Sequence, residues 1–574
     1  MFKLPFRKKK IIDLRPASSG IRPAILLVLD GWGIATPSEG NAIHKAKTPN
    51  MDRFYLEYPH GELIASGESV GLPANEVGNS EVGHLTLGSG KAILQSLMRI
   101  NAAVEDGSFY DNRAFIKAVF HAKNHGSKIH LVGLVGSGGV HSSLGHFYAL
   151  LEFCRRKEIN NVCAHLFTDG RDAPPQEGAG ILGEIENKLK AGKIGNVVSV
   201  AGRYYAMDRD MRWERTQRAY EAIVMGKGHQ ASSAVEAVRA AYERGQTDEF
   251  VEPTVIRNAD CTSGTVDDND AVIFFNFRVD RPRQLTMAFV LPDFEKIKSV
   301  VLGDDPHRMK REEKVFSGHT FKREKWPKNL FFATMTEYKK SLPVSAVAFP
   351  PVKAPISLPQ VLSENNLKQL HLTESEKERM VTTYFDGLNP SKFPGEDVII
   401  IPSPKVGTYD KKPEMSVYQI VDEFYRQISK GIYHFVIMNF ANPDMVAHSG
   451  SMKATIEAIE HVDKAVGMVA DAVRKVNGTL FITADHGNAE ELLSFSTTSY
   501  FFTTTKGDMS TDHSNNPVPF IIMANEFKGK PVKIPRGTLS DVAPTILSWM
   551  NLPVPEHMTG KNLLSDLPVE GRNP

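Results

Sequence analysis

Ala24-Ile25-Leu26-Leu27-Val28-Leu29-Asp30-Gly31-Trp32-Gly33 is a continuous apolar run that stops at an acidic, glycine-bearing turn. A strand buried on both faces reads this way, because none of its positions has to face water. Its carboxyl end is where open α/β sheets place their chemistry, which makes Asp30 a candidate site residue. An ordinary Asp-Gly turn reads the same locally. The pattern recurs along the chain. Residues 128–135 end in Gly136-Ser137-Gly138-Gly139-Val140-His141-Ser142, and 163–167 end in Thr168-Asp169-Gly170-Arg171-Asp172. Residues 196–200 run into Ala201-Gly202-Arg203 and on to Arg209, and 271–275 run into Asn276-Phe277-Arg278-Val279-Asp280-Arg281. Helical periodicity fills the gaps, as over 178–189 and 233–244. Residues 342–360 carry Pro343, Pro350, Pro351, Pro355 and Pro359 and read as a linker or crossover. Beyond them strands resume at 397–401, 434–440 and Thr479–Thr483. The fold class expected is α/β, with strands and helices in alternation.

The chain has 574 residues, 41% hydrophobic and 24% charged, with a net charge of +1. It is long enough for several domains and a sizeable core. The balanced charge points away from nucleic acid and from a membrane surface as partner. The longest apolar runs fall well short of the roughly 20 residues that a membrane-spanning helix requires. Cys154, Cys163 and Cys261 are irregularly spaced, which fits reduced thiols in a cytoplasmic location better than a disulfide framework. Residues 1–21 are basic and lack the apolar core of a secretory signal, so they read as an extension, with a transit peptide as the alternative. The low-complexity stretch 494–505 reads as an exposed loop.

Ser80 lies in Val77-Gly78-Asn79-Ser80-Glu81-Val82-Gly83-His84, where the two glycines leave room for a bulky group beside its backbone and hydroxyl. The plainer reading is a turn in which Asn79 or Ser80 caps a helix over 85–96. Candidate metal ligands lie far downstream. Asp444 and His448 share one face if Pro443-Asp444 opens a helix. Asp485-His486 closes a strand, and adjacent residues that diverge suit two neighbouring ions. Asp512-His513 precedes the apolar run 519–523. Carboxylate with imidazole suits Mn²⁺, Zn²⁺ or Fe, and together with Asp30 this set reads as a two-metal site. Arg171, Arg203, Arg209, Arg278 and Arg281 at successive strand ends would hold a small polyanion, although each alone reads as a surface salt bridge. His141 reads either as a phosphate ligand or proton shuttle, or as a polar loop histidine.

Leu29-Asp30-Gly31-Trp32-Gly33, Gly78-Asn79-Ser80-Glu81-Val82-Gly83-His84, Asp169-Gly170-Arg171-Asp172, the stretch from Asn439 to Gly450 and Thr483-Ala484-Asp485-His486-Gly487-Asn488 closely resemble cofactor-independent phosphoglycerate mutases. The resemblance runs from about Pro23 to near the end of the chain. It implies an alkaline-phosphatase-like, doubly wound domain over 22–95 and 345–574, split by an inserted substrate-binding α/β domain over 96–344. It further implies two divalent ions, expected to be Mn²⁺. One would be held by Asp444, His448 and His513, the other by Asp30, Ser80, Asp485 and His486. His141, Arg171, Asp172, Arg203, Arg209, Arg278 and Arg281 would hold phosphoglycerate. Lys377, in Glu374-Ser375-Glu376-Lys377, matches the family's phosphate-contacting lysine in a looser motif. The implied chemistry passes a phosphoryl group through Ser80 between 3- and 2-phosphoglycerate without a bisphosphoglycerate cofactor, with Asp172 as acid and base. A cytoplasmic monomer acting on this small molecule is expected. The loop 490–512 is longer and more aromatic than the resemblance leads one to expect, which would alter access to the first ion.

Overall fold

Apolar β-branched runs form two separate sheets, each in its own unit of the chain. The computed structural model describes residues 20–257, 264–297, 319–494 and 508–565. One unit comprises Met1–Gln95 and Val352–Pro574, the other Ser96–Pro351. The basic extension up to residue 19, Cys261 and residues 495–507 lie outside the described residues.

The first unit holds an eight-stranded sheet in the spatial order Glu396–Ile401, Gln369–Glu374, Phe435–Phe440, Ala24–Leu29, Thr479–Thr483, Val518–Met523, His60–Ile64, Gly537–Thr538. The first five strands are parallel, and Val518–Met523 runs against them. Ala24–Leu29 sits near the middle and is buried along its whole length, as an uninterrupted apolar run requires. On a parallel sheet every carboxyl end points the same way, so Asp30, Glu374, Phe440 and Thr483 all open toward one edge. The second unit orders its eight strands Ala346–Phe349, Phe331–Thr336, Ala271–Phe274, Ile129–Val135, Val162–Thr168, Gly195–Gly202, Thr254–Ile256, His229–Ala231. All neighbours are parallel except Gly195–Gly202 with Thr254–Ile256. The α/β class read from the sequence is the class observed.

Two local expectations change. The expected helix over 85–96 is instead Ser80–Ser89, closed by Gly90 at φ +59°, and a new helix begins at Ser96. A left-handed glycine cap ends the helix where periodicity alone carried it on. The proline-rich stretch 342–360 is not a plain linker. It contains the strand Ala346–Phe349 and the helix Leu358–Glu364. The strand lies at the sheet edge, where the flanking Pro350 and Pro351 remove no ladder bond, and Pro359 occupies the first turn of the helix. Cys154 is a buried free thiol. Among the described residues no helix is long and apolar enough to cross a membrane.

Glu374 closes its strand fully buried, accepting from Ser416 N at 3.4 Å and interacting with the Ser403 side chain. Burial pushes its carboxyl up to about 7 from an ordinary 4.5. The folded state therefore keeps this proton between pH 4.5 and 7, where the unfolded chain has already lost it, so the stability it supports is lost as pH rises through that window. Glu374→Gln is expected to raise stability above pH 7 by up to about 3 kcal/mol and to change nothing below pH 4.5, as read by thermal unfolding across pH.

Candidate active site

Ser80 is the first residue of its helix because Asn79 caps it, accepting from Glu81 N and Val82 N at 3.1 Å each. Such a cap contributes about 1 kcal/mol and leaves the positive end of the helix at Ser80. The glycines around it make room for backbone and not for a ligand. A Cβ on Gly78 would come within 2.1 Å of Ala65 O, and one on Gly83 within 2.5 Å of Asp485 O. The expectation of space beside Ser80 is thus corrected: the loop is packed tightly against the Asp485 strand end.

Lys377 is the centre of the site. Its Nζ lies 2.6 Å from Asp30 Oδ1, 2.7 Å from Ser80 Oγ and 2.7 Å from Asp444 Oδ2. Burial opposes its charge, but Asp30, Asp444 and Asp485 outweigh that and hold the ammonium above its ordinary range. Lys377 is consequently a donor to Ser80 Oγ, not a base. Asp30 Oδ1 at 3.3 Å is placed to accept the hydroxyl proton, and His486 Nε2 lies 3.0 Å from the same oxygen.

Two ligand-like clusters meet here. Asp444 stands in the helix Asn442–Ala447, opened by Pro443 as the spacing predicted, and its Oδ1 lies 3.2 Å from both His448 Nε2 and His513 Nε2. His448 Nδ1 and His513 Nδ1 donate to the carbonyls of Thr511 and Gly78 at 2.7 and 2.8 Å, which turns both Nε2 atoms toward Asp444. Asp30 and Asp444 also group with His486, and Asp30 and Asp485 with His84. Burial works against the charge of Asp444, yet Lys377, His448 and His513 keep it well below the usual carboxylate range. Burial likewise opposes a charged His486, but Asp485, Asp30 and Asp444 push its imidazole up to about 9. Three fully enclosed aspartates face one ammonium, so the pocket carries an excess of negative charge that suits bound cations.

Several contributors were not read as site residues. Asn439 donates to Asp30 Oδ2 at 2.7 Å and to His84 Nε2 at 3.1 Å, so His84 keeps its proton on Nδ1, facing Ser80 O at 2.9 Å and Asp485 Oδ2 at 3.1 Å. Asn488 donates to Asp444 Oδ1 at 2.9 Å. Glu490 accepts from Gly33 N at 3.0 Å, Asn488 N at 2.9 Å, Asn516 Nδ2 at 3.1 Å and the Ser514 hydroxyl. It ties together the loops carrying Asp30, Asp485 and His513. Asn439 and Asn488 lie within strand-end stretches that were noted for their neighbours, whereas nothing in the sequence marks Glu490.

In the second unit the residues read as an anion site also converge. Arg203 is almost wholly buried, and its Nη1 donates to Asp169 Oδ1 and Asp172 Oδ2 at 2.6 Å each while Nη2 lies 3.0 Å from His141 Nε2. Asp280, not read in advance as a site residue, gathers the rest: Arg209 Nη1 at 2.5 Å, Arg278 Nε at 3.4 Å and His141 Nδ1 at 3.7 Å. Arg281 donates to Met207 O at 3.2 Å, and Arg171 reaches Glu249 at 3.4 Å. The buried Nε atoms of Arg203 and Arg281 and Nδ1 of His141 have no hydrogen-bond partner. Burial and the neighbouring Arg203 hold His141 down at about 4, so it is neutral at physiological pH. Burial would raise Asp172, but Arg203 holds it below its ordinary value, so it is ionised and able to accept a proton.

The family model described as the BPG-independent PGAM N-terminus matches residues 100–340. A 2,3-bisphosphoglycerate-independent phosphoglycerate mutase of Clostridium beijerinckii is 45% identical over 543 residues, covering 95% of this chain and 99% of its own. One from Thermomicrobium roseum is 47% identical, covering 94% of this chain and 97% of its own. A solved structure of Leishmania mexicana phosphoglycerate mutase superposes with a TM-score of 0.62 at 29% identity, covering 96% of this chain and 99% of that one. With such identity along almost its whole length, the chain belongs to the 2,3-bisphosphoglycerate-independent phosphoglycerate mutases.

Proposed function

We propose that the chain interconverts 3-phosphoglycerate and 2-phosphoglycerate by passing the phosphoryl group through Ser80. The observation that carries this reading is Lys377 Nζ held at 2.7 Å from Ser80 Oγ among Asp30, Asp444 and their histidines. Asp444, His448 and His513 would hold one divalent ion and Asp30, Ser80, Asp485 and His486 a second, Mn²⁺ being the ion this donor set suits. The enclosed, negatively charged donor set fits such ions. When bound they supply Lewis-acid stabilisation of the transferring group.

The chain's own residues do the remainder. Ser80 Oγ forms the bond to phosphorus as the bond from phosphorus to the substrate's 3-oxygen breaks; Asp30 accepts the hydroxyl proton, and a proton is delivered to the departing 3-oxygen. Lys377 and the amino end of the Ser80 helix face the charge on the transferring group. The residues His141, Arg171, Arg203, Arg209, Arg278 and Arg281 retain glycerate while it turns. The ionised Asp172 then takes the proton of the attacking 2-hydroxyl, Ser80 Oγ regains a proton as its bond to phosphorus breaks, and the reverse reaction runs the same transfers backwards. The unit bearing Ser80 is thereby the metal-holding, phosphatase-like domain, and Ser96–Pro351 the substrate domain. Since the ligand-like clusters and the anion site all belong to one chain, we read it as a monomer. The buried free thiol of Cys154 supports a cytoplasmic location.

Metal-free protein given 3-phosphoglycerate without bisphosphoglycerate is expected to form 2-phosphoglycerate only when Mn²⁺ is added, as followed by ³¹P NMR after quenching with EDTA. Release of inorganic phosphate in place of 2-phosphoglycerate would identify a hydrolase and defeat the proposal. Ser80→Ala is expected to lower kcat at least about 10⁴-fold and to abolish phosphoserine. Asp172→Asn is expected to lower kcat about 10²- to 10⁴-fold while Ser80 still becomes phosphorylated, which intact-mass measurement detects.

A further inference from the structure

Away from the cluster around Lys377, a second set of ligand-like groups is enclosed in the first unit. His371 lies in the strand Gln369–Glu374, Asp386 just after the π-helical turn Met380–Tyr384, and Glu396 at the start of the neighbouring strand Glu396–Ile401. Their ligand atoms fall within 4.8 Å of one another. His371 Nδ1 is 3.8 Å from Asp386 Oδ1 and 4.0 Å from Glu396 Oε1, and the three side chains are at most 4% exposed. Asp386 Oδ1 and Glu396 Oε1 have no hydrogen-bond partner, and among the described residues no lysine or arginine pairs with either. Leaving two such oxygens uncompensated is costly, because each forfeits its hydration.

The imidazole between them is also surrounded by acceptors alone. Nδ1 faces Val381 O at 2.5 Å, and Nε2 faces Gln369 Oε1 at 3.3 Å. The Gln369 amide is held in that orientation because its Nε2 donates to Pro359 O at 2.9 Å. Four acceptor groups surround one ring, and the nearest positive charge, Lys392, acts on the three side chains without pairing with any of them. Burial and the neighbouring Glu396 push Asp386 up to about 9.

We propose that His371, Asp386 and Glu396, with the Val381 carbonyl, hold a divalent first-row cation at a site separate from the catalytic groups. On binding, the ring's single proton moves from Nδ1 to Nε2, where it faces Gln369 Oε1, the ion takes its place on Nδ1, and Asp386 releases its proton to solvent so that two carboxylates balance the double charge. The site lies toward the opposite end of its strand from Glu374, which leads to Lys377. Lys377 falls between His371 and Asp386 along the chain, so the ion would clamp both ends of the segment that delivers the catalytic ammonium.

The test loads the full-length protein with Mn²⁺, removes excess by gel filtration and counts manganese per chain by mass spectrometry for wild type, Asp386→Asn and Glu396→Gln. Each variant is expected to carry one equivalent fewer than wild type. This difference does not depend on how many ions the catalytic groups retain, so it separates this proposal from the functional one. Equal contents in all three would overturn it and leave a protonated Asp386 as what relieves the enclosed pair. Should the variants fail to fold, crystals of the unaltered chain grown with Mn²⁺ decide the matter. An anomalous peak about 2.0–2.2 Å from His371 Nδ1 and Asp386 Oδ1 is expected, and its absence overturns the proposal.

Discussion

The first unit depends on how the carboxylates of Asp30, Asp444 and Asp485 are held together away from water. Isolated carboxylates in such a place would take up protons. Here the Lys377 ammonium touches two of them and lies close enough to the third to be held charged by it. The histidines and the amides of Asn439 and Asn488 saturate further lone pairs. The result is a rigid, charge-rich pocket whose donors are oriented before any substrate arrives, which is the condition under which electrostatic stabilisation costs no reorganisation at the moment of reaction.

The same design recurs in the second unit with the signs reversed. Arginines predominate, with Asp169 and Asp172 accepting from Arg203 and Asp280 accepting from Arg209. Buried N–H groups on Arg203 and Arg281 remain without partners, as a site made for an oxyanion would leave them. Asp172 is one of the carboxylates orienting Arg203, and the proximity of Arg203 in turn holds it below its ordinary range.

Positioning is carried by residues with no chemistry of their own. Glu490 gathers backbone and side-chain donors from three loops, each of which bears a ligand-like residue. Asn79 starts the Ser80 helix, while Gly78 and Gly83 let that loop close onto Ala65 and Asp485. Such roles depend on which loops become neighbours.

Much of the fold was legible in the sequence. A strand buried on both faces must be apolar throughout, so Ala24–Leu29, Phe435–Phe440 and Thr479–Thr483 announce themselves, and in a parallel sheet their carboxyl ends must gather at one edge. That constraint brought Asp30, Asp444, Asp485 and the strand-end arginines into view without any coordinates. Periodicity overran the end of the Ser80 helix, because a glycine in the left-handed region stops a helix that the apolar spacing would continue. Composition likewise hid the strand Ala346–Phe349, because prolines forbidden in a central strand are harmless beside an edge. What only the tertiary structure decided was pairing: that Lys377 sits between Asp30 and Asp444, that Asp280 collects Arg209 and Arg278, and that His371 meets Asp386 and Glu396. Sequence determines which side chains a strand end carries, but contacts between residues far apart in the chain depend on how helices and loops stack above the sheet, and no local pattern encodes that.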